Sequence, residues 1–316
     1  MRLSPMLCRN PDLPALAWMV ELTSQRTVFE HGTGVEADEG HLVEGAWSGE
    51  FPRGEFSDAL TFAGTGVRVV GSDLVCATPT STLHPLFFLR TGQRLLASNS
   101  LPFLLARAGE DIDPRYPHYQ FDLMSVMYGL RRYRRRIPTR SGTPVQIAYH
   151  CNVRIDRDRR LTCMPKPAPA PFADYAAYAG FLASEVTAVT SNAQHRDRRV
   201  RYTPLTTLSS GYDSPACAVL AGGAGCRHGV TFVRARADYG SQEDSGRRIA
   251  DALGVAVTEH DAPDVRAISP ARLAEFLATG MGGDDVVFAA LEPWLPGRLL
   301  YTGFHGDKVW ARVNNT

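Results

Sequence analysis

Hydrophobic positions change their spacing midway along this 316-residue chain. In the first half, short apolar stretches at 66–70, 73–77 and 86–90 are separated by Gly, Ser and Asp turns, which is a strand-rich pattern. Residues 93–98 add another strand after the Thr91-Gly92 turn. A short helix is predicted over 102–108, a second from about 115 to 128, and a last strand pair over 143–153. The Pro/Ala stretch from Pro165 to Pro171 then favours an extended conformation that continues neither helix nor sheet. Beyond it the apolar spacing becomes helical. The 175–190 segment repeats Tyr178, Phe181, Leu182 and Val186 on one face. Strand-like runs at 204–208, 229–234, 255–260 and 298–302 alternate with helix-like ones at 215–221, 242–253, 270–277 and 284–291. Such alternation marks a parallel sheet covered by helices. The expected fold is therefore α/β, with a sheet-rich domain over 1–164, a Pro/Ala linker over 165–172 and a doubly wound parallel-sheet domain over 173–316.

Composition removes several function classes. Thirty-four Lys and Arg against 33 Asp and Glu leave a formal charge of +1, too even for a general nucleic-acid binder. No uncharged apolar run is long enough to span a bilayer, and Arg9, Asn10 and Asp12 interrupt any signal-peptide core. Neither a membrane nor nucleic acid is an expected partner, and the default compartment is the cytoplasm. The six cysteines include no C-x-x-C pair, so neither a disulfide framework nor a zinc site is expected. Lys166 and Lys308 are the only lysines. Five arginines around Tyr133 (131, 132, 134, 135 and 136) read as a solvated connection, or as a contact for phosphate or RNA.

Parallel sheets bind ligands at the carboxyl ends of their strands, near the point where strand order reverses. That directs attention to the loops after Leu208, Arg234 and Thr302. The segment from Thr206 to Pro215 leaves a strand, turns through small residues and enters a helix, with Ser214 as the expected N-cap and Pro215 in the first turn. Such a turn is an anion cradle, because N–H groups and hydroxyls converge on a helix N-terminus. Asp213 inside the cradle makes sense if a divalent cation bridges it to phosphate oxygens. Taken alone, the segment reads more readily as a Ser/Gly turn with a capping Asp.

Ser209-Ser210-Gly211-Tyr212-Asp213-Ser214 resembles the S-G-G-x-D-S pyrophosphate loop of the N-type ATP pyrophosphatases, the superfamily that includes the asparagine synthetases. Ser210 stands where that family has its first Gly. Residues 303–307 are similar to the family's G-x-G-x-D-E loop, with Gly303 and Asp307 at the family spacing and Lys308 in place of Glu. The acidic run 239–244 is similar to the entry of the family's second sheet-covering helix, and Asp284 with Asp285 reads as a helix start or part of a substrate pocket. In the first half, residues 78–88 and 95–105 resemble the glutaminase-type half of the same proteins. Arg2 occupies the position of the family's nucleophilic cysteine, whose own amine acts as base. Glutamine hydrolysis is therefore not expected, as in β-lactam synthetase-like members. The chain ends nine residues after Asp307, where the family continues with a helical segment, so a truncated domain is expected.

This resemblance implies a degenerate Ntn-type, glutaminase-like domain followed by a HUP-like PP-loop domain. It implies an ATP-dependent ligase that adenylates a carboxylate, releases pyrophosphate and forms an amide with an amine or ammonia. Leu208, Ser209, Ser210, Gly211, Asp213, Ser214, Val233 and Gly303 would then bind ATP and its pyrophosphate. Asp213 and Asp307 would hold Mg2+, and Lys308 would be the catalytic residue that steadies developing charge. The cofactors are ATP and Mg2+; the partners are a small carboxylate and an amine. The same departures also fit a catalytically inactive nucleotide-binding or scaffold homologue, or a fragment. Oligomeric state is left open.

Overall fold

The computed structural model describes residues 3–233, 245–260, 291 and 294–303. They form a mixed α/β chain that divides into two compact units. Among the described residues, the first holds those up to Ala170 together with Asp197–Val200; the second holds Pro171–Arg196 and those from Arg201 onward. Among the described residues, no helix is long and apolar enough to cross a membrane.

In the first unit, β1 (Met6–Arg9), β2 (Trp18–Leu22), β3 (Thr27–His31), β8 (Leu86–Thr91), β9 (Arg94–Ser98), β10 (Arg136–Ile137) and β11 (Val145–Ala148) form one sheet. Its order is β1-β3-β2-β9-β8-β11-β10, and only the β1–β3 pair is parallel. A second, antiparallel sheet contains β4 (Glu36–Ala37), β5 (His41–Trp47), β6 (Phe62–Val70), β7 (Asp73–Ala77), β12 (Cys151–Ile155) and β13 (Leu161–Pro165), in the order β13-β12-β7-β6-β5-β4. Successive side chains of a strand face opposite ways. Trp18, Val20 and Leu22 accordingly pack with Leu42, Val67, Leu74 and Cys76 of the second sheet. Met19 points to the other side, among Leu101 and Leu104 of α1 (Leu101–Ala108) and Leu123 of α2 (Tyr119–Met124). The two sheets thus share a core, and helices cover the outer face of the first. The Ser100 hydroxyl accepts the Phe103 N–H at 3.2 Å to cap α1, and Gly109, at φ 70°, ends it.

Three expectations need correction here. The helix foreseen over 115–128 is only α2 followed by a 3-10 turn, Ser125–Tyr128. Pro117 lacks an N–H and pushes Tyr116 away from helical backbone angles, which delays the start. The strand pair foreseen over 143–153 is not a pair. β11 lies beside β8 in the first sheet and β12 beside β7 in the second, and the chain crosses between them through His150, at φ 48°. Pro165 belongs to the sheet as the last residue of β13, opposite Cys151, and an edge strand tolerates its missing donor.

The second unit is built on a parallel sheet of β14 (Thr203–Thr207), β15 (His228–Phe232), β16 (Ala256–His260) and β17 (Arg298–Tyr301). The order is β16-β15-β14-β17. The chain builds outward from β14 on one side and then returns to place β17 on the other, so order reverses between β14 and β17. α4 (Asp213–Gly223) and α5 (Arg247–Leu253) cover one face through Ala218 and Ala250, which pack with Leu208 and Val255. Leu205 and Val230 on the opposite face pack against Leu291 and Leu295. α3 (Tyr175–Ala193) is capped by Asp174, whose carboxylate accepts the Ala177 N–H at 2.8 Å. The Thr190 hydroxyl ties α3 to the Tyr301 hydroxyl at 2.6 Å. The helix foreseen over 270–277, and those over 242–253 and 284–291 in part, lie outside the described residues.

Candidate functional site

The loop after β14 sits at the strand-order reversal. Leu208 is buried and its N–H bonds the Val230 carbonyl at 2.9 Å, so the residue just after β14 is still held to the sheet. Ser209 bridges to Ser245, and its hydroxyl accepts the Gly211 N–H at 3.3 Å, which closes a tight turn. Gly246 lies against Leu208 so closely that a Cβ there would overlap the Leu208 carbonyl carbon and Ser209 nitrogen. Its N–H bonds the Thr231 hydroxyl at 2.8 Å. Ser210, Gly211 and Tyr212 are exposed at the apex, whereas Asp213 and Ser214 are half-buried.

α4 starts two residues earlier than its sequence suggests. Tyr212 is the N-cap and makes no side-chain cap; Asp213 and Ser214 open the helix, and Pro215 follows in the first turn. Ser214 is therefore not the N-cap. Proline is harmless at that depth because first-turn N–H groups have no intrahelical acceptor. The result is a helix N-terminus without a side-chain cap, entered from an exposed Ser/Gly turn, with an acidic residue in its first turn.

Gly303 meets this helix end. A Cβ at that position would overlap the Ser214 nitrogen and the Asp213 carbonyl carbon. The glycine therefore lets the loop after β17 pack directly against the start of α4, where any side chain would collide with the helix backbone. Cys217, one turn along from Asp213, reinforces the junction: its thiol donates to the Thr302 carbonyl at 3.4 Å. Burial, and then the Asp213 carboxylate, raise the Cys217 pKa, which keeps the thiol protonated as that donor. At the end of β15, half-buried Val233 is held by a bond from its N–H to the His260 carbonyl at 2.9 Å.

Of the residues singled out in the sequence, the structure brings Ser209, Gly211, Asp213, Ser214 and Gly303 to one junction, with Ser210 at the apex and Leu208 beneath it. Asp307 and Lys308 lie outside the described residues, as do Arg2, the 239–244 run, Asp284 and Asp285. Among the described residues no group of three or more His, Cys, Asp or Glu is placed to hold a metal ion. Asp213 is the carboxylate at the described junction.

Two contributors escaped the sequence reading. Cys217 stands four residues after Asp213, a spacing that places both on one helix face, and that was the available signal. Thr207, the last residue of β14, has a buried hydroxyl without a hydrogen-bond partner; nothing in a Thr-Thr-Leu run distinguishes it. A helix N-terminus without a side-chain cap, entered from an exposed small-residue turn, suits an anionic group such as a phosphate. Asp213 suits one position on a hard cation that such a group shares. No protein-family model matches the chain, and no curated protein is significantly similar to it.

Proposed function

We propose that the chain is an ATP-dependent carboxylate–amine ligase of the asparagine synthetase type, without glutaminase activity of its own. In this reading the first unit is a degenerate Ntn-type domain and the second a PP-loop domain. One observation carries the proposal: the Ser209–Ser214 loop enters an uncapped helix at the strand-order reversal, with Gly303 packed against that helix start. The N–H groups of the first turn of α4 and the Ser209 and Ser214 hydroxyls receive the pyrophosphate as it leaves the α-phosphorus. Ser210, in place of glycine, stands exposed at the apex of the turn. Asp213 holds one position on Mg2+, which supplies charge neutralisation of the phosphates when bound. Catalysis is then mostly positioning and electrostatic stabilisation, and the amide forms when an amine displaces AMP from the activated carboxylate. Lys308 and Asp307 keep their proposed roles, as charge-steadying residue and second magnesium ligand.

The test is carboxylate-dependent ATP–pyrophosphate exchange, with AMP rather than ADP as product. Asp213 caps nothing through its side chain, so Asp213→Asn should change stability by less than about 1 kcal/mol. It should nevertheless weaken Mg·ATP binding by about tenfold or more. Equal, magnesium-independent binding by both proteins would remove the metal assignment. Tight Mg·ATP binding without exchange for any carboxylate would favour the inactive nucleotide-binding homologue.

A further inference from the structure

A second surface, in the first unit, has no role in the ligase reading and is argued independently of it. Between positions 114 and 150 the chain carries seven arginines and one carboxylate, Asp122. Asp122 is buried and accepts the Tyr116 hydroxyl at 2.5 Å, and it makes no ion pair with these arginines among the described residues. Arg115 and Arg140 pair with Asp113 and Asp111. The five arginines between positions 131 and 136 are exposed and make no ion pair among the described residues. Beside them stand exposed apolar side chains: Phe121 (68%), Met127 (62%), Tyr128 (77%), Met124 and Leu130.

The apolar and basic runs share one surface. Gly129, at φ 101°, turns the chain, and its carbonyl accepts the Arg132 and Tyr133 N–H groups. The Arg134 N–H then bonds the Ser125 hydroxyl at 2.7 Å, which lays the basic run alongside the 3-10 turn. Leu123, Ser125, Tyr133 and Ile137 face inward, leaving Phe, Met, Tyr, Leu and Arg outward. Phe121 and Tyr128 offer rings on which bases could stack, but Met124, Met127 and Leu130 beside them offer nucleic acid nothing. A protein partner would need a concavity matched to a protruding turn. An anionic bilayer needs no such match, because it offers hydrocarbon to the tip and phosphate to the arginines.

We propose that the 121–136 surface docks the protein on an anionic lipid bilayer, with the apolar tip at the headgroup boundary and the arginines on lipid phosphates. The proposal departs from the expectation of no membrane partner, which rested on the lack of a spanning segment; surface docking requires none. The purified full chain should sediment with sucrose-loaded vesicles containing one-third phosphatidylglycerol, not with phosphatidylcholine alone, and less at high salt. Arg131→Gln with Arg132→Gln should weaken binding about tenfold or more. Phe121→Ser with Met127→Ser should weaken it with the charge unchanged; circular dichroism checks that both variants fold. Failure to sediment with anionic vesicles at low salt, or binding indifferent to either pair, overturns the proposal. So does tight binding of single-stranded RNA by protein that leaves the vesicles unbound.

Discussion

Glu44 shows how a single side chain ties the first unit's stability to pH. Its Oε1 accepts both the N–H and the hydroxyl of Thr65 at 2.7 Å, and the Thr65 hydroxyl in turn accepts the Trp18 indole N–H at 2.9 Å. Burial outweighs these bonds and raises the Glu44 pKa to about 7. The folded carboxyl therefore keeps a proton that the unfolded chain, with its ordinary pKa of 4.5, releases. Between those values the folded state binds more protons, so stability falls as pH rises through the window. Glu44→Gln keeps an acceptor for Thr65 and removes the titration. The variant should gain on wild type by on the order of 3 kcal/mol between pH 4.5 and 7.5. Denaturant midpoints of both proteins across that range check this; a constant difference would be the contrary result.

At the scale of elements, the site is a junction between the end of β17 and the start of α4. Gly303→Ala drives a Cβ into the helix backbone. It should cost about 1–3 kcal/mol by overpacking and sharply weaken Mg·ATP binding. Gly211→Ala meets only the Ser209 hydroxyl, at 3.4 Å, and should leave stability nearly unchanged. Denaturation and ATP titration of the two variants separate these outcomes. The parallel sheet was legible because β14 to β17 are short apolar runs spaced by helical ones, and each lies within two residues of its expected bounds where described. β2 was not legible: it is buried on both faces, so Trp18–Leu22 shows no alternation. β5 was hidden because His41, Glu44 and Gly45 interrupt its apolar pattern. The Ser209–Ser214 turn announced itself through its small residues. Its meeting with Gly303 did not, because register between strands about ninety positions apart leaves no local trace.

At the scale of the whole molecule, chain order and unit membership part company. Asp197–Val200 belongs to the first unit, although the residues on either side belong to the second. Arg198 is 4% exposed; its guanidinium lies 4.5 Å from the Phe51 ring centroid and 5.3 Å from that of Trp47, and it donates to the Gly45 carbonyl at 2.9 Å. Arg199 donates to the Thr33 and Val35 carbonyls, and the Val200 N–H bonds the Glu36 carboxylate at 2.7 Å. Arg198→Ala removes a desolvated cation–π contact and a donor to the Gly45 carbonyl. It should cost the first unit about 2–4 kcal/mol. Hydrogen exchange should quicken at β5 and β6 amides and stay unchanged at β14 and β15; uniform quickening would refute this localisation. The order β16-β15-β14-β17 also has a temporal side. β14 and β17 are ladder neighbours 95 residues apart, and long loop closures are slow to repay their entropy. On a ribosome adding roughly 5–20 residues per second, β17 emerges about 5–20 s after β14. Throughout that interval one edge of β14 stands without its native neighbour, open to mispairing. The junction at Gly303 thus assembles only after β14 and β15 have emerged, so the newborn second unit has part of its core before it has the candidate site.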